Sequence, residues 1–158
     1  MVRNSIKSFH SGTVKKTIII NVSKQKAWKK VSNIIGLPDW LVDVRKTVFL
    51  SKKKKGVGAI RKITFNDGKT IEEHVVSWKD GQYFTYIATE GLPLRAYVAT
   101  LTITPKSKKN VSLTWQSYFN SKKMTPKQFR DFQISLGQFY ENSLKNLKKK
   151  LEQNSIKV

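Results

Sequence analysis

The chain contains no cysteine, which excludes disulfides, thiolate metal sites and cysteine nucleophiles. Histidine is nearly absent: His10 and His74 are too few and too far apart to make a metal site. No acid–histidine–serine constellation is visible. Met1–Gly12 has no apolar h-region, and no apolar run approaches membrane-spanning length. No signal peptide or spanning helix is expected, and a soluble cytoplasmic protein is the default expectation. Acidic residues are scarce, ten against 31 lysines and arginines, for a net charge of +21.

That charge invites a nucleic-acid reading, but its distribution weakens it. The arginines are only Arg3, Arg45, Arg61, Arg95 and Arg130. The lysines are spread over turns and helix surfaces. The run Lys52–Lys55 falls in a hairpin loop, and Lys148–Lys150 falls near a helix end. Solvated lysine faces explain such a pattern, with weak, salt-sensitive attraction to polyanions.

At 158 residues the chain is one domain able to bury a core. Met1–Gly12 reads as a flexible extension, residues 13–153 as the domain and 154–158 as a tail. Val14–Val22 alternates as a strand with Val14, Ile18, Ile20 and Val22 on one face. Ser23 caps a helix carrying Ala27, Trp28, Val31 and Ile34 at helical spacing. Gly36-Leu37-Pro38 ends it, and Asp39 caps a short apolar turn, Trp40–Val44. The rest, up to Phe119, is strand. The strand turns are marked by Asn66-Asp67-Gly68, Asp80-Gly81, Gly91-Leu92-Pro93-Leu94 and Pro105–Asn110. Apolar and polar residues alternate, so one face of an antiparallel sheet is covered. Thr125 and Pro126 then start a long helix with Phe129, Phe132, Leu136, Phe139, Tyr140, Leu144, Leu147 and Leu151 in its apolar stripe. A stripe this wide needs a concave partner. The expected fold is α+β: a curved antiparallel sheet of about seven strands around the C-terminal helix, with a ligand cavity between them.

One hairpin breaks the apolar pattern. Gly56–Trp78 reads as two strands, with Val57, Ala59, Arg61, Ile63 and Phe65 on one face and Ile71, Glu73, Val75 and Ser77 on the other strand's matching face. Arg61 and Glu73 therefore sit near each other on an inward apolar surface, where unpaired charge is costly. They form either a cross-strand ion pair that fixes register or the polar anchor of a ligand site. A desolvated Glu73 would have a raised pKa, and a close Arg61 would oppose the rise. Tyr97 and Trp115 share the inward surface as a hydrogen-bond donor and a flat wall, or as core. Trp40 and the two Gly-Leu-Pro loops would form the cavity mouth. Gly56-Val57-Gly58 is not a phosphate loop, because a strand follows it.

Several segments resemble the SRPBCC superfamily, also called START-like or Bet v 1-like, in its polyketide cyclase/dehydrase branch. They are Gly36-Leu37-Pro38-Asp39-Trp40, Gly56-Val57-Gly58-Ala59-Ile60-Arg61, Glu73–Asp80, Leu92-Pro93 with Tyr97–Leu101, Val111–Trp115, and Gly137–Tyr140 with Leu144 and Leu147. The resemblance spans roughly Thr13–Glu152. It implies the helix-grip fold, and a family of aromatase/cyclases, lipid carriers, plant hormone receptors and plant enzymes related to lachrymatory-factor synthase. In that last group a cavity arginine and glutamate do the chemistry, and Arg61 and Glu73 fall at similar positions.

The function expected first is binding of a small hydrophobic or amphipathic ligand by Arg61, Glu73, Tyr97, Trp115, Trp40, Phe132, Leu136 and Tyr140. The alternative is a cyclase- or dehydratase-like enzyme with Glu73 as acid/base and Arg61 as stabiliser. A polyanion-binding protein ranks last. No cofactor is implied, and the expected assembly is a monomer or weak dimer.

Overall fold

Seven antiparallel strands form one sheet in the order β1-β7-β6-β5-β4-β3-β2. The structure, a computed structural model, describes residues 9–156, with side chains up to 153. In chain order the elements are β1 (His10–Ile20), α1 (Lys24–Val31), a 3-10 turn (Leu37–Asp39), β2 (Val44–Phe49), β3 (Ile60–Phe65), β4 (Thr70–Lys79), β5 (Tyr83–Glu90), β6 (Ala96–Ser107), β7 (Asn110–Ser121) and α2 (Pro126–Ile156). This is the expected helix-grip arrangement, with α2 lying along the concave face.

Local chemistry explains most of the elements. Ser23 Oγ accepts the Lys26 N–H at 3.2 Å and opens α1. At α2, Thr125 Oγ1 accepts from Gln128 N while Gln128 Oε1 accepts from Thr125 N, a reciprocal capping box. The long helix is tied to β1 along its length. Gln133 Nε2 donates to Thr13 O at 2.8 Å, and Lys148 Nζ to Ile19 O at 2.7 Å. Gly137 lies between these ties, where an added Cβ would sit 3.5 Å from Lys16 and 3.9 Å from Val14. Those are ordinary van der Waals distances, so the approach of α2 to β1 does not require the glycine, and Gly137 does not line the cavity between sheet and helix.

The sheet curves where its register slips. Irregularities lie at Val44/Lys46, at Glu72/Glu73 and Val75/Ser77 in β4, and at Pro105/Ser107. Bulges bend a strand and re-aim its side chains, and the β4 pair flanks Glu73 and Val75.

Several boundaries differ from the sequence reading. The strand expected from Gly56 starts at Ile60, because Gly56 and Gly58 take φ of +79° and +96° and bend the chain into a loop. The Pro105–Asn110 turn is shorter, since strand pairing runs on to Ser107 and resumes at Asn110. The first strand begins at His10, inside the stretch expected to be an extension, and Val22 is buried just past its end. Residues 1–8 of that extension and 157–158 of the expected tail lie outside the described residues, while α2 continues through 154–156. Asp39 does not cap the turn that follows. It ends the 3-10 turn, and its carboxylate pairs with Lys30 and, at 3.5 Å, with Lys150.

Candidate functional site

The Phe65–Lys69 turn sets the register of β3 against β4. Gly68 has φ +88°, Phe65 N donates to Lys69 O at 2.9 Å, and Asp67 Oδ1 accepts Lys69 N at 2.9 Å. That register places Arg61 directly opposite Glu73. Both are buried, at 4% and 6% exposure. Arg61 Nε lies 3.0 Å and Nη2 2.8 Å from the same oxygen, Glu73 Oε1. Arg61 Nη1 donates to Ile34 O at 2.8 Å, and the guanidinium sits over the Tyr86 ring at 4.9 Å. Glu73 Oε2 has no hydrogen-bond partner among the described residues. Burial pushes the Glu73 carboxyl above its ordinary value, and Arg61 pulls it back only in part.

Three phenols close this polar end. Trp115 Nε1 donates to Tyr86 Oη at 3.0 Å, and the hydroxyls of Tyr97 and Tyr140 are hydrogen-bonded to each other. Trp115 stacks on Tyr140 at 3.8 Å with a 9° interplanar angle. Burial raises the pKa of all three tyrosines, so they remain neutral at ordinary pH.

A cavity of about 230 Å³ adjoins the pair. Its walls come from every layer of the fold. β3 and β4 give Ile63, Phe65 and Ile71; β6 gives Leu101; α2 gives Phe132, Leu136 and Phe139. Those three helix residues are only half-buried, whereas Leu144, Leu147 and Leu151 beyond them are buried against the sheet. The apolar stripe of α2 thus has a cavity-facing stretch, Phe132 to Phe139, between Phe129, which is buried against Phe119, and a packed C-terminal part.

Of the residues singled out from sequence, Arg61, Glu73, Tyr97, Trp115, Trp40, Phe132 and Leu136 line this cavity. Two placements need correction. Tyr140 stands behind Tyr97 and Trp115 and does not line it. Trp40 is not at the mouth: it is 2% exposed and meets Trp115 edge-on at 5.8 Å. Leu37 of the first Gly-Leu-Pro segment is buried as well. Ser143 Oγ accepting from Val42 N, and Asn146 reaching Trp40 O, hold that segment to α2. Of the two Gly-Leu-Pro segments, it is Leu92 of the second that lines both the cavity and the surface clefts beside it, together with Phe132, Phe65 and Ile71.

Tyr86 lies under the Arg61 guanidinium and accepts from Trp115 Nε1, and the sequence reading gives it no role. The available signal was its inward position between Phe84 and Ala88 on β5. The lysine loop Lys52–Lys55 is exposed, and Lys148 is engaged with Glu152 at 2.7 Å. His74 lies 3.1 Å from Glu72 and alternates away from Glu73. Among the described residues there is no cluster of metal-ligating side chains, and no helix is long and apolar enough to cross a membrane.

The pattern of the polyketide cyclase / dehydrase and lipid transport family matches residues 11–152. The chain belongs to that family. A sequence search of curated proteins finds no match. Solved structures of other proteins resemble the fold of this family member closely. The aromatase/cyclase Zhui from Streptomyces sp. R1128 has a TM-score of 0.80 at 13% identity, covering 94% of this chain and 98% of that one. The protein XoxI from Bacillus cereus has a TM-score of 0.72 at 20% identity, with the same coverage, 94% and 98%. Norcoclaurine synthase from Thalictrum flavum, solved with dopamine and hydroxybenzaldehyde, has a TM-score of 0.73 at 18% identity, covering 98% and 94%. At these identities the likeness is one of fold.

Proposed function

We propose that this family member binds a small hydrophobic or amphipathic molecule in the cavity between sheet and α2. The observation that carries this reading is a buried ion pair with one carboxylate oxygen left over, set in the wall of an apolar cavity. Glu73 Oε2 has no protein donor among the described residues, and Glu73 lines the cavity, so its free oxygen is open to a donor from a bound molecule. A ligand hydroxyl or amide supplies one. A ligand carbonyl would accept the guanidinium N–H groups that Glu73 and Ile34 do not use. Phe132, Leu136, Ile63 and Leu101 hold the apolar body. At about 230 Å³ the cavity lies below the ~300–1,000 Å³ of drug-sized sites, which limits the buried part to one or two fused rings or a short chain.

Calorimetric titration with 1-naphthol tests this. Saturable one-to-one binding is expected in the wild type and not in Leu136→Trp, whose indole fills the cavity. No saturation in the wild type, or undiminished binding in a folded Leu136→Trp, defeats the proposal. Mass spectrometry after denaturing extraction would identify any ligand retained on purification.

A second reading is favoured by the raised pKa of Glu73. A carboxyl tuned upward, with one free oxygen toward a bound molecule, is suited to acid/base catalysis, and Arg61 is suited to stabilise developing negative charge. In a cyclase- or dehydratase-like enzyme, Glu73→Gln abolishes turnover of the retained molecule and leaves its affinity within a few-fold. Unchanged turnover removes Glu73 from the chemistry.

A further inference from the structure

The cavity adjoins an open cleft of about 850 Å³ at the end of the molecule carrying the β5–β6 and β7–α2 loops. Leu92 and Phe132 line both spaces and stand between them, where a neck would lie. The pairing of Ala96 with Asn120 brings these two loops side by side. Arg95 N donates to Asn120 O at 2.9 Å, and Lys123 N to Ser121 Oγ at 3.2 Å, so both backbones are held. Arg95, Lys122 and Lys123 therefore line one cleft together. None of the three is in an ion pair among the described residues. The one acid of this cleft, Asp131, is engaged by Lys127 at 3.5 Å. The cleft on the other side of Leu92 has Asp43, Asp67 and Lys69 and offers no such excess.

Given the ligand-binding reading above, on which this rests, we infer that the ligand is an amphipathic anion: its apolar body passes the Leu92–Phe132 neck into the cavity and its acid group stays outside on Arg95, Lys122 and Lys123. The inner end is unsuited to the acid. Arg61 is already matched by Glu73, and a second carboxylate there would face the Glu73 oxygen that has no donor. Outside, three unmatched cations meet the acid where water still solvates it, which avoids the cost of burying a charge. A carboxylate and a phosphate share this chemistry.

Calorimetry with decanoate and 1-decanol separates the contributions. The wild type is expected to bind decanoate at least about tenfold more tightly. In the triple variant Arg95→Gln/Lys122→Gln/Lys123→Gln, decanoate falls to the level of decanol and decanol is unchanged. A control variant, Lys106→Gln/Lys108→Gln/Lys109→Gln, loses the same charge at the opposite end of β6 and changes neither. Decyl phosphate in place of decanoate tells which acid is preferred. Equal binding of decanoate and decanol overturns the inference, as does an equal effect of the control variant, and the cavity reading survives both. The same holds if neither decyl probe binds while 1-naphthol does. A decanoate preference that persists in the triple variant and grows in Glu73→Gln puts the acid at Arg61 and also overturns it. If 1-naphthol fails together with both decyl probes, the cavity reading itself falls and the inference with it.

Discussion

Arg61 and Glu73 face each other across the β3–β4 register, and two guanidinium nitrogens converge on one carboxylate oxygen. The geometry leaves both groups part-satisfied: Glu73 Oε1 and Ile34 O engage one N–H on each guanidinium nitrogen, and Glu73 Oε2 has no donor among the described residues. Both charges are removed from water, so each depends on the other. Arg61→Met should cost about 3–5 kcal/mol at pH 7, and Glu73→Leu about the same, because each leaves an uncompensated buried charge. The double variant should cost less than either single one. Urea unfolding of all three closes the cycle; additive costs would show that the pair is not coupled.

Glu73 also sets a pH dependence. Burial raises its folded-state pKa above the ordinary 4.5. A group that binds its proton more tightly in the folded state adds stability below the unfolded pKa. That stability is lost as pH rises through the folded value. Relative to Glu73→Gln, the wild type should lose stability as pH climbs from about 4.5 upward. Urea midpoints of the two proteins between pH 4 and 7 measure the gap. A gap moving in favour of the wild type would mean that Arg61 outweighs burial.

Gly91 holds the loop that carries Leu92. Its φ is +97°, and a Cβ there would collide with the carbonyl oxygen of Thr70. Gly68 has a similar φ, +88°, with open space around it. Gly91→Ala should therefore destabilise by more than about 2 kcal/mol and Gly68→Ala by about 1 kcal/mol. Displacement of Leu92 should also weaken 1-naphthol binding in Gly91→Ala alone. Equal costs in thermal unfolding would remove the steric argument.

The two halves of the α2 stripe should respond differently to truncation. Leu144 is 1% exposed, and Leu144→Ala should cost about 2–5 kcal/mol. Leu136 faces the cavity and already lacks neighbours on that side. Its alanine variant should cost about 1 kcal/mol or less and should admit a larger ligand. A comparable loss at both positions in urea unfolding would show that Leu136 is packed.

Much of this was legible along the chain. Ser23 and Thr125 announce their helices by accepting the backbone N–H three residues on, and Pro126 by a fixed φ and a missing N–H that suit the first helical position. Alternation in 96–104 and 111–119 gives the inward face, since the period of two belongs to the strand itself. The glycines at 56 and 58 continue a strand-like apolar pattern, in which their positive φ values leave no mark. Tyr86 received no role and Trp40 the wrong place. Tyr86 depends on the irregular register of β5 against its neighbour β4, and Trp40 on packing against Trp115 and a tie to α2.

The sequence by itself determined that Arg61 and Glu73 meet, because a short turn at residues 66–68 fixes which residues of a hairpin lie opposite. It also determined that an aromatic stripe on the last helix must cover a concave surface. Only the tertiary structure decided which part of that stripe packs and which faces a cavity. It alone put Tyr140 behind the wall instead of in it. It alone brought Arg95 beside Lys122 and Lys123. Those outcomes rest on contacts between segments tens of residues apart, whose geometry follows from sheet curvature and the path of α2, and no local pattern encodes either.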